Sequence, residues 1–446
     1  YREIGNEDLF GVLKDMELAN LVRGKSSREI LLITGIYARE DGTGDSGVIR
    51  DAPQQLLVEV LAKELEKNYS FALFVAERGT ATKEVVYVLE RQGFIRPHMA
   101  DENDKRTIYM VDMHEPLMFL HNLDTTIKEP FASNPAVLDA VEKNHKKLQI
   151  AMTKLYPGNL VLSLSSGIMY HRLVDRITAL NDVPREPLVP RRLGKNMCVP
   201  FGKILRGKVV PNTVTKTLHT DKVYEPDLNS FTIEPFPYYS PLKSQIETIK
   251  SFDRPVILVD DLVHTANRLQ VLVPQLREDG IPIKKVVVGV LSGYGRDLMQ
   301  CLKVPVESIY SMPNLRQWFV ESTLYPFIGG DTVRREEMKV AGLQPSINMI
   351  LPYATPRLSG CSREALVEFS ACCIENSRDL FQVLEAEYRK MYAKNLTLSR
   401  LSEAVILPLC PDKGSCMEYD ENLAASVYLE NDLETLWRMK EFLIKG

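Results

Sequence analysis

The sequence lacks long hydrophobic runs, a strong net charge, internal repeats and low-complexity tracts. Its longest apolar stretches, such as Val286 to Leu291, are far shorter than the roughly 20 residues that a membrane-spanning helix needs. Lys and Arg number 55 against 59 Asp and Glu, so the formal net charge of -4 offers no global basic field to a nucleic acid. We therefore expect a protein that neither crosses a membrane nor binds nucleic acid.

Cysteine is sparse and irregularly placed. The seven cysteines are odd in number and scattered in spacing, which is typical of reduced thiols in a cytoplasmic protein. Cys410 and Cys416 lack both the CxxC spacing and a nearby His that a zinc site would require. We expect structural cysteines and a cytoplasmic location.

The length of the chain indicates about three domains. Its 446 residues are too many for one ordinary core, and 45% of them are hydrophobic and 26% charged, as in globular proteins. The patterns divide the chain into three blocks, 1–130, 131–330 and 331–446.

The first block alternates helical and β patterns. Hydrophobic periodicity predicts helices at Asp8 to Val22, Gln54 to Asn68 and Thr82 to Gln92, a loop at Asp41 to Gly47, and strands at Leu31 to Ala38, Phe71 to Ala76 and Ile108 to Met113. The second block continues this alternation, so it predicts βαβ units and a mostly parallel sheet.

The elements of the second block are a set of short apolar strands and amphipathic helices. The predicted strands are Asn159 to Leu164, one near Met197, Val256 to Val259, Val286 to Leu291 and Val306 to Tyr310, and the predicted helices are Pro135 to Leu155, Ile168 to Leu180 and Leu242 to Ser251. The third block is mostly helical, with Arg363 to Tyr392 and Asn422 to Phe442, and we expect it to serve packing or dimerisation.

The most informative segment is Val256 to Arg268, which reads VILVDDLVHTANR. Four apolar residues predict a buried strand, and two adjacent carboxylates, Asp260 and Asp261 (the acidic pair), follow at its carboxyl end, where open α/β sheets bind ligands. N–H groups at the start of the following helix can hold a phosphate, whereas paired carboxylates suit the vicinal hydroxyls of a sugar. The combination is typical of a site for a phosphorylated sugar.

This segment resembles the signature of the type I phosphoribosyltransferases, which bind 5-phosphoribosyl 1-pyrophosphate (PRPP). The resemblance implies an α/β fold with a parallel-sheet phosphoribosyltransferase core, in which the acidic pair holds the ribose hydroxyls. It also implies Mg²⁺, held mainly through PRPP rather than by protein ligands, and a homodimer. By the same resemblance, the 5-phosphate contacts are His264, Thr265, Ala266, Asn267 and Arg268.

His264 is the one departure from the family pattern, which usually has Ala, Ser, Thr, Val or Asp at this position. Three interpretations stay open. The imidazole contacts the base, as an Asp does in some purine enzymes of the family; it is only a neighbour of the phosphate; or it marks a member that has lost catalysis.

Two further features fall where the family places its other PRPP contacts. Ser165, Ser166 and Gly167 follow the predicted strand before them and match the pyrophosphate loop. The segment Gly202 to Ser230 matches the mobile loop, which closes over PRPP and brings cations to the leaving pyrophosphate. Its candidates are Lys203, Arg206, Lys208, Lys216, His219 and Lys222, of which Lys216 and His219 are the predicted catalytic contacts.

The alternative to a PRPP contact, for each of these cations, is an ordinary place in a basic loop on the protein surface. Trp318, which follows the last apolar strand, is either a stacking platform for the base or a core residue.

The run Val88 to Phe94 (VLERQGF) resembles the helix end and turn of GNAT-type acetyltransferases. In that family a Gln/Arg-x-x-Gly-x-Gly/Ala loop holds the pyrophosphate of acetyl-CoA. The aligned residues here, Arg50 to Gln55, have neither glycine, and Pro53 has no N–H to donate. The first block thus resembles a partial, degenerate GNAT-type domain, with acyl transfer and a structural or regulatory role as alternatives.

Three functional hypotheses follow. The leading one is a phosphoribosyltransferase that transfers phosphoribose from PRPP to a nitrogenous base, or runs the reverse reaction on a nucleotide, through an oxocarbenium-like transition state. The second is a PRPP- or nucleotide-sensing protein without turnover. The third is an acyltransferase that a PRPP-binding domain regulates.

Overall fold

The computed structural model describes residues 30–36, 52–67, 69–77, 81–97, 106–190, 192–237, 239–335, 342–356, 358–413 and 419–445. The predicted helix Asp8 to Val22, the predicted loop Asp41 to Gly47, and Arg50 and Asp51 lie outside these residues.

The described elements alternate between strands and helices over most of the chain. The strands are β1 (Ile30–Ile33), β2 (Phe71–Glu77), β3 (Arg106–His121), β4 (Asn159–Ser165), β5 (Met197–Pro200), β6 (Val214–Thr215), β7 (Thr220–Tyr224), β8 (Phe231–Pro235), β9 (Val256–Val263), β10 (Ile283–Ser292), β11 (Val306–Met312), β12 (Gln317–Val320), β13 (Asp331–Val333), β14 (Gln344–Ile347) and β15 (Leu409–Pro411). The helices are α1 (Ala52–Glu64), α2 (Lys83–Arg91), α3 (Pro135–Leu155), α4 (Ser166–Leu180), α5 (Leu242–Lys250), α6 (Asn267–Glu278), α7 (Gly293–Cys301), α8 (Glu321–Leu324), α9 (Arg363–Tyr392) and α10 (Ala425–Lys445).

The first sheet is built around β3. Strand β1 pairs in parallel with β2, and β2 pairs antiparallel with the first half of β3. The second half of β3 pairs in parallel with both β4 and β12. Strand β3 therefore runs well beyond the predicted Ile108 to Met113. The acetyltransferase resemblance of this region stays a prediction.

The second sheet has five parallel strands in the order β6-β5-β9-β10-β11. The predicted parallel sheet is confirmed, and its residues on one face pack into a core with α5 and α6, which includes Leu258 and Leu272. The predicted strand Asn159 to Leu164 does form, as β4, but its predicted place in this sheet was wrong. It pairs with β3 in the first sheet.

The third sheet, in the order β8-β7-β13-β14-β15, joins distant parts of the chain. The segment Gly202 to Ser230, predicted as one long loop, is not a loop throughout, because it contains β6 and β7, and β7 pairs with β8 and β13. Its mobility stays a prediction. The predicted helical C-terminal region also contributes β13, β14 and β15 to this sheet, so it is helical only in part.

Helix α9 organises the largest core. Its predicted N-cap, Ser362, accepts a hydrogen bond from the N–H of Ala365 over 3.1 Å, which satisfies one of the free donors at the helix start. Buried residues of α9, such as Phe381, pack with residues of α3 and α10. The described elements thus form a mixed α/β fold with parallel sheets, while the division at residues 130 and 330 stays a prediction.

Among the described residues, no helix combines the length and apolarity needed to cross a membrane. The six cysteines within them are free thiols.

Candidate functional site

The acidic pair lies on the central strand of the parallel sheet. The apolar pattern predicted a strand that ends at Val259, before the two acids. The hydrogen-bonded strand β9 instead continues through Val263, so both acids lie within it. Asp260 is only 8% exposed, and its Oδ1 accepts the N–H of Asp261 over 2.9 Å. Burial raises the pKa of Asp260, although Arg268, whose Nη1 lies 3.9 Å from Oδ1, opposes this shift.

Asp261 holds the loop that follows β5. Its Oδ2 accepts the main-chain N–H of Lys203 over 2.6 Å, and its Oδ1 accepts the N–H of Ile204 over 3.0 Å. The approach is close enough to require glycine at position 202, since a Cβ there would lie 2.8 Å from the main-chain N of Asp261. The Gly202–Ile204 loop and the acidic pair are therefore one unit.

Three cations converge beside the acidic pair. Burial lowers the pKa of Lys203, and the positive charges of Arg206 and Arg268 lower it further, while Asp331 and Asp221 oppose them. Burial and the charge of Arg268 likewise lower the pKa of Arg206. Cations that destabilise one another in a partly buried place gain from a bound anion, so this cluster is suited to a phosphate or pyrophosphate.

The turn after β9 ends in an uncapped helix start. Ala266 adopts a left-handed conformation, with φ 50° and ψ 23°, and no side chain caps helix α6 at this position. The amide of Asn267 donates to Oγ1 of Thr265 over 2.8 Å, which fixes the turn. Because the first N–H groups of a helix have no intrahelical partners, this turn can accept an anion, as the sequence predicted for the 5-phosphate.

His264 lies in an aromatic corner next to the turn. Its Nδ1 is 2.8 Å from Oγ of Ser292, a buried hydroxyl that also accepts the N–H of Gly295. Its ring centroid is 4.9 Å from that of Trp318 and 5.7 Å from that of Tyr294. Burial lowers the pKa of His264, so the neutral imidazole prevails at neutral pH.

His219 lies on the cationic side of the site, whereas Lys216 is exposed. The ring of His219 stacks on Tyr239 at 3.9 Å between centroids, and its main-chain N–H donates to Oε1 of Gln245 over 2.8 Å. Burial lowers the pKa of His219, and the nearby charges of Arg206 and Lys216 add to that effect. The structure thus brings Arg206 and Lys216 near His219, and the catalytic role of Lys216 and His219 stays a prediction.

The Ser165, Ser166 and Gly167 run lies at the end of β4, in the first sheet. The Oγ of Ser165 accepts the N–H of Ile168 at the start of α4 over 3.5 Å. The described hydrogen bonds join none of the three residues to the acidic pair or to the Ala266 turn, and their role in PRPP binding stays a prediction.

The loop that does contact the acidic pair is Gly202–Ile204, which we expected to be part of a mobile segment. Sequence reasoning missed the two N–H donors because main-chain groups leave no mark in side-chain composition. The available signal was the short apolar strand Met197–Pro200 followed by a glycine and two cations, Lys203 and Arg206.

Comparisons with known proteins give distant structural likenesses. A purine phosphoribosyltransferase from Pyrococcus horikoshii Ot3 is 14% identical, with a TM-score of 0.23, and the match covers 35% of this chain and 87% of that one. The AQ2163 protein from Aquifex aeolicus is 16% identical, with a TM-score of 0.21, and the match covers 42% of this chain and 85% of that one. No protein-family model and no curated protein matches the sequence. At these TM-scores the likenesses carry no argument, and the case for a function rests on the geometry of the site.

Proposed function

We propose that this protein is a phosphoribosyltransferase, which binds PRPP with Mg²⁺ and exchanges pyrophosphate for a nitrogenous base at the anomeric carbon. The observation that supports the proposal is the convergence of Lys203, Arg206 and Arg268 beside the acidic pair, of which Asp260 is buried, next to an uncapped helix start. Anion-binding and diol-binding groups occur together, as a phosphorylated and pyrophosphorylated sugar requires.

Each part of PRPP has a matching group in this arrangement. Asp260 accepts ribose hydroxyls, and the N–H groups after Ala266 hold the 5-phosphate. The cations Lys203 and Arg206 face the pyrophosphate, whose negative charge grows as the bond to the anomeric carbon breaks, so they stabilise the transition state. Mg²⁺ would bridge PRPP oxygens and supply further positive charge to the leaving group.

The acceptor base would lie in the corner formed by His264, Trp318 and Tyr294. Aromatic rings at this place offer a stacking surface, and a neutral imidazole offers one hydrogen-bond donor or acceptor to a base edge. If the hydroxyl of Ser292 donates to Nδ1, then Nε2 carries the proton and presents a donor.

The first experiment measures binding. Mg-PRPP should raise the thermal unfolding temperature of the full chain, and the double variant Asp260→Asn with Asp261→Asn should lose this rise. Asp253→Asn is the matched control, because Asp253 is an exposed acid at φ 50°, a conformation that Asn accepts. An equal rise in the double variant and the wild type would contradict the ribose role.

The second experiment measures turnover. Pyrophosphate release from PRPP should occur with at least one member of a panel of purine, pyrimidine and other nitrogenous bases. Binding of Mg-PRPP without release across the panel would instead favour a PRPP-sensing protein.

That second candidate has one observation in its favour. Both oxygens of Asp261 already accept main-chain N–H groups, so this acid holds a loop and has less capacity left for a ribose hydroxyl. The two functions share the binding site, and only turnover separates them.

A further inference from the structure

The carboxyl ends of three parallel strands meet at a second place, away from the acidic pair. His121 ends β3 and pairs in register with Ser165 of β4, and Glu321 directly follows β12. His145 reaches the same place from α3. Ligands commonly bind beyond the carboxyl ends of parallel strands, so polar side chains gathered there suggest a binding role.

The three side chains form a compact and buried group. Nδ1 of His145 lies 2.6 Å from Oε1 of Glu321, and Nδ1 of His121 lies 3.9 Å from Oε2 of the same carboxylate. The two imidazole rings are 4.4 Å apart, and one ligand atom from each residue lies within 4.8 Å of the others. The Glu321 side chain is fully buried, while those of His121 and His145 are 14% and 19% exposed.

Two atoms of this group have no hydrogen-bond partner within the described part of the chain. Nδ1 of His121 and Oε2 of Glu321 are buried and unsatisfied, and they face one another across a gap too long for a hydrogen bond. An unsatisfied buried carboxylate oxygen destabilises the folded state. A ligand that binds both the nitrogen and the oxygen would remove this destabilisation.

We propose that His121, His145 and Glu321 bind a divalent transition-metal ion, with Zn²⁺ as the best match to two imidazoles and one carboxylate. Bonds of about 2.1 Å at tetrahedral angles separate ligand atoms by about 3.4 Å. The separations of 2.6 and 3.9 Å lie on either side of that value, so small side-chain movements complete the site.

His121 and His145 both line a cavity of about 190 Å³, whose lining also includes Arg91, Asp124 and Ser163. Zinc sites with three protein ligands and one open position bind water or a substrate, whereas structural zinc sites have four protein ligands. With three protein ligands beside a cavity, the proposed site would be of the open kind.

Ser163 and Gln149 support the ring of His121. The hydroxyl of Ser163 contacts Nε2 of His121 and also accepts from the amide of Gln149, whose Nε2 lies 3.0 Å from that ring nitrogen. Without metal, Nε2 accepts from the amide and Nδ1 keeps its proton. A metal on Nδ1 would require the other neutral tautomer, in which Nδ1 has lost its proton and Nε2 has gained one and donates it to Ser163, which is the usual outer contact of a metal-bound histidine.

The test uses the full chain after removal of metal with a chelator. Zn²⁺ titrated against a chromophoric chelator should bind at about one equivalent per chain. His121→Ala and Glu321→Gln should each weaken this binding by about 100-fold or more, and Ser163→Ala by about 10-fold. The matched control is His114→Ala, since His114 lies exposed on the same strand and should leave binding unchanged.

Co²⁺ in place of Zn²⁺ reports the ligand set. The visible bands should be those of a nitrogen- and oxygen-bound ion, and a sulfur charge-transfer band would place the metal on cysteine and overturn the proposal. Absence of binding in the wild type would overturn it too, as would full binding in Glu321→Gln, a near-isosteric variant whose fold is checked by thermal unfolding. In that case His145 and Glu321 form only a buried ion pair.

Discussion

The main-chain N–H of Lys203 donates to Oδ2 of Asp261 over 2.6 Å, and this bond joins the loop after β5 to the central strand β9. Asp260, its neighbour in sequence, receives only the N–H of Asp261 from the main chain and carries the cost of burial. Asp261 thus stabilises the folded state through its hydrogen bonds, whereas the burial of ionised Asp260 destabilises the folded state. Substitutions of Asp260 and Asp261 should therefore change the free energy of unfolding in opposite directions.

Asp261→Ala should destabilise the protein. The change removes two hydrogen bonds to a charged acceptor and leaves the N–H groups of Lys203 and Ile204 without their partner, which costs about 2–4 kcal/mol. Urea unfolding of the variant, compared with that of Asp253→Asn, checks this. An unchanged free energy of unfolding would show that the loop does not depend on Asp261.

Asp260→Asn should stabilise the protein as the pH rises. Burial raises the pKa of Asp260 in the folded state, so the folded state binds more protons than the unfolded state and wild-type stability falls with pH between the two pKa values. The amide removes this loss, which is on the order of 2 kcal/mol. Unfolding curves should show a larger gain at about pH 8 than at about pH 5, where only part of the loss has developed, and an equal gain at both would contradict the burial effect.

Gly202→Ala and Gly167→Ala distinguish two candidate pyrophosphate loops. A Cβ at position 202 meets the main chain of Asp261, so we expect a loss of about 1–3 kcal/mol in stability and of PRPP binding. A Cβ at position 167 meets only Oγ of Ser165, at 3.6 Å, and Ala favours the helix. Isothermal titration with Mg-PRPP should find full affinity in Gly167→Ala, and a large loss there would restore the Ser165–Gly167 loop to the site.

His264→Ala decides among the interpretations of this residue. If the imidazole contacts the base, the variant should keep its affinity for Mg-PRPP while the KM for the base rises about 10-fold. Pyrophosphate release at varied base concentration, with His171→Ala as the control, measures the change. A matching loss of PRPP affinity would instead make His264 a phosphate neighbour.

Local patterns predicted the centre of the fold well. The apolar runs that form most of β9 and β10 are buried on both faces of a parallel sheet, and such runs are visible in a short window of sequence. Helices α3 and α9 were predicted to the residue, and Ser362 was the predicted cap of α9. The structure adds Asn134 as the cap of α3.

Pairing between distant segments could not be predicted in this way. Pro116, together with the polar pair His114 and Glu115, interrupts the alternation in β3, so the pattern ended at Met113. The rest of the strand is formed by its pairing with β4 and β12, which comes from far along the chain. The same pairings bring His121 beside Glu321, while His145 joins them from helix α3, and no spacing in the sequence joins the three.

The return of β12 to the side of β3 has a practical consequence for dissecting the protein. The parallel sheet is an insertion whose incoming strand, β4, and outgoing strand, β12, are both hydrogen-bonded to β3. Fragments cut near residues 130 and 330 would contain β4 and β12 without their shared partner and would expose unpaired strand edges. A fragment that begins before β3 and ends after β12 should be more soluble on expression. In that fragment β4 and β12 both keep their hydrogen bonds to β3.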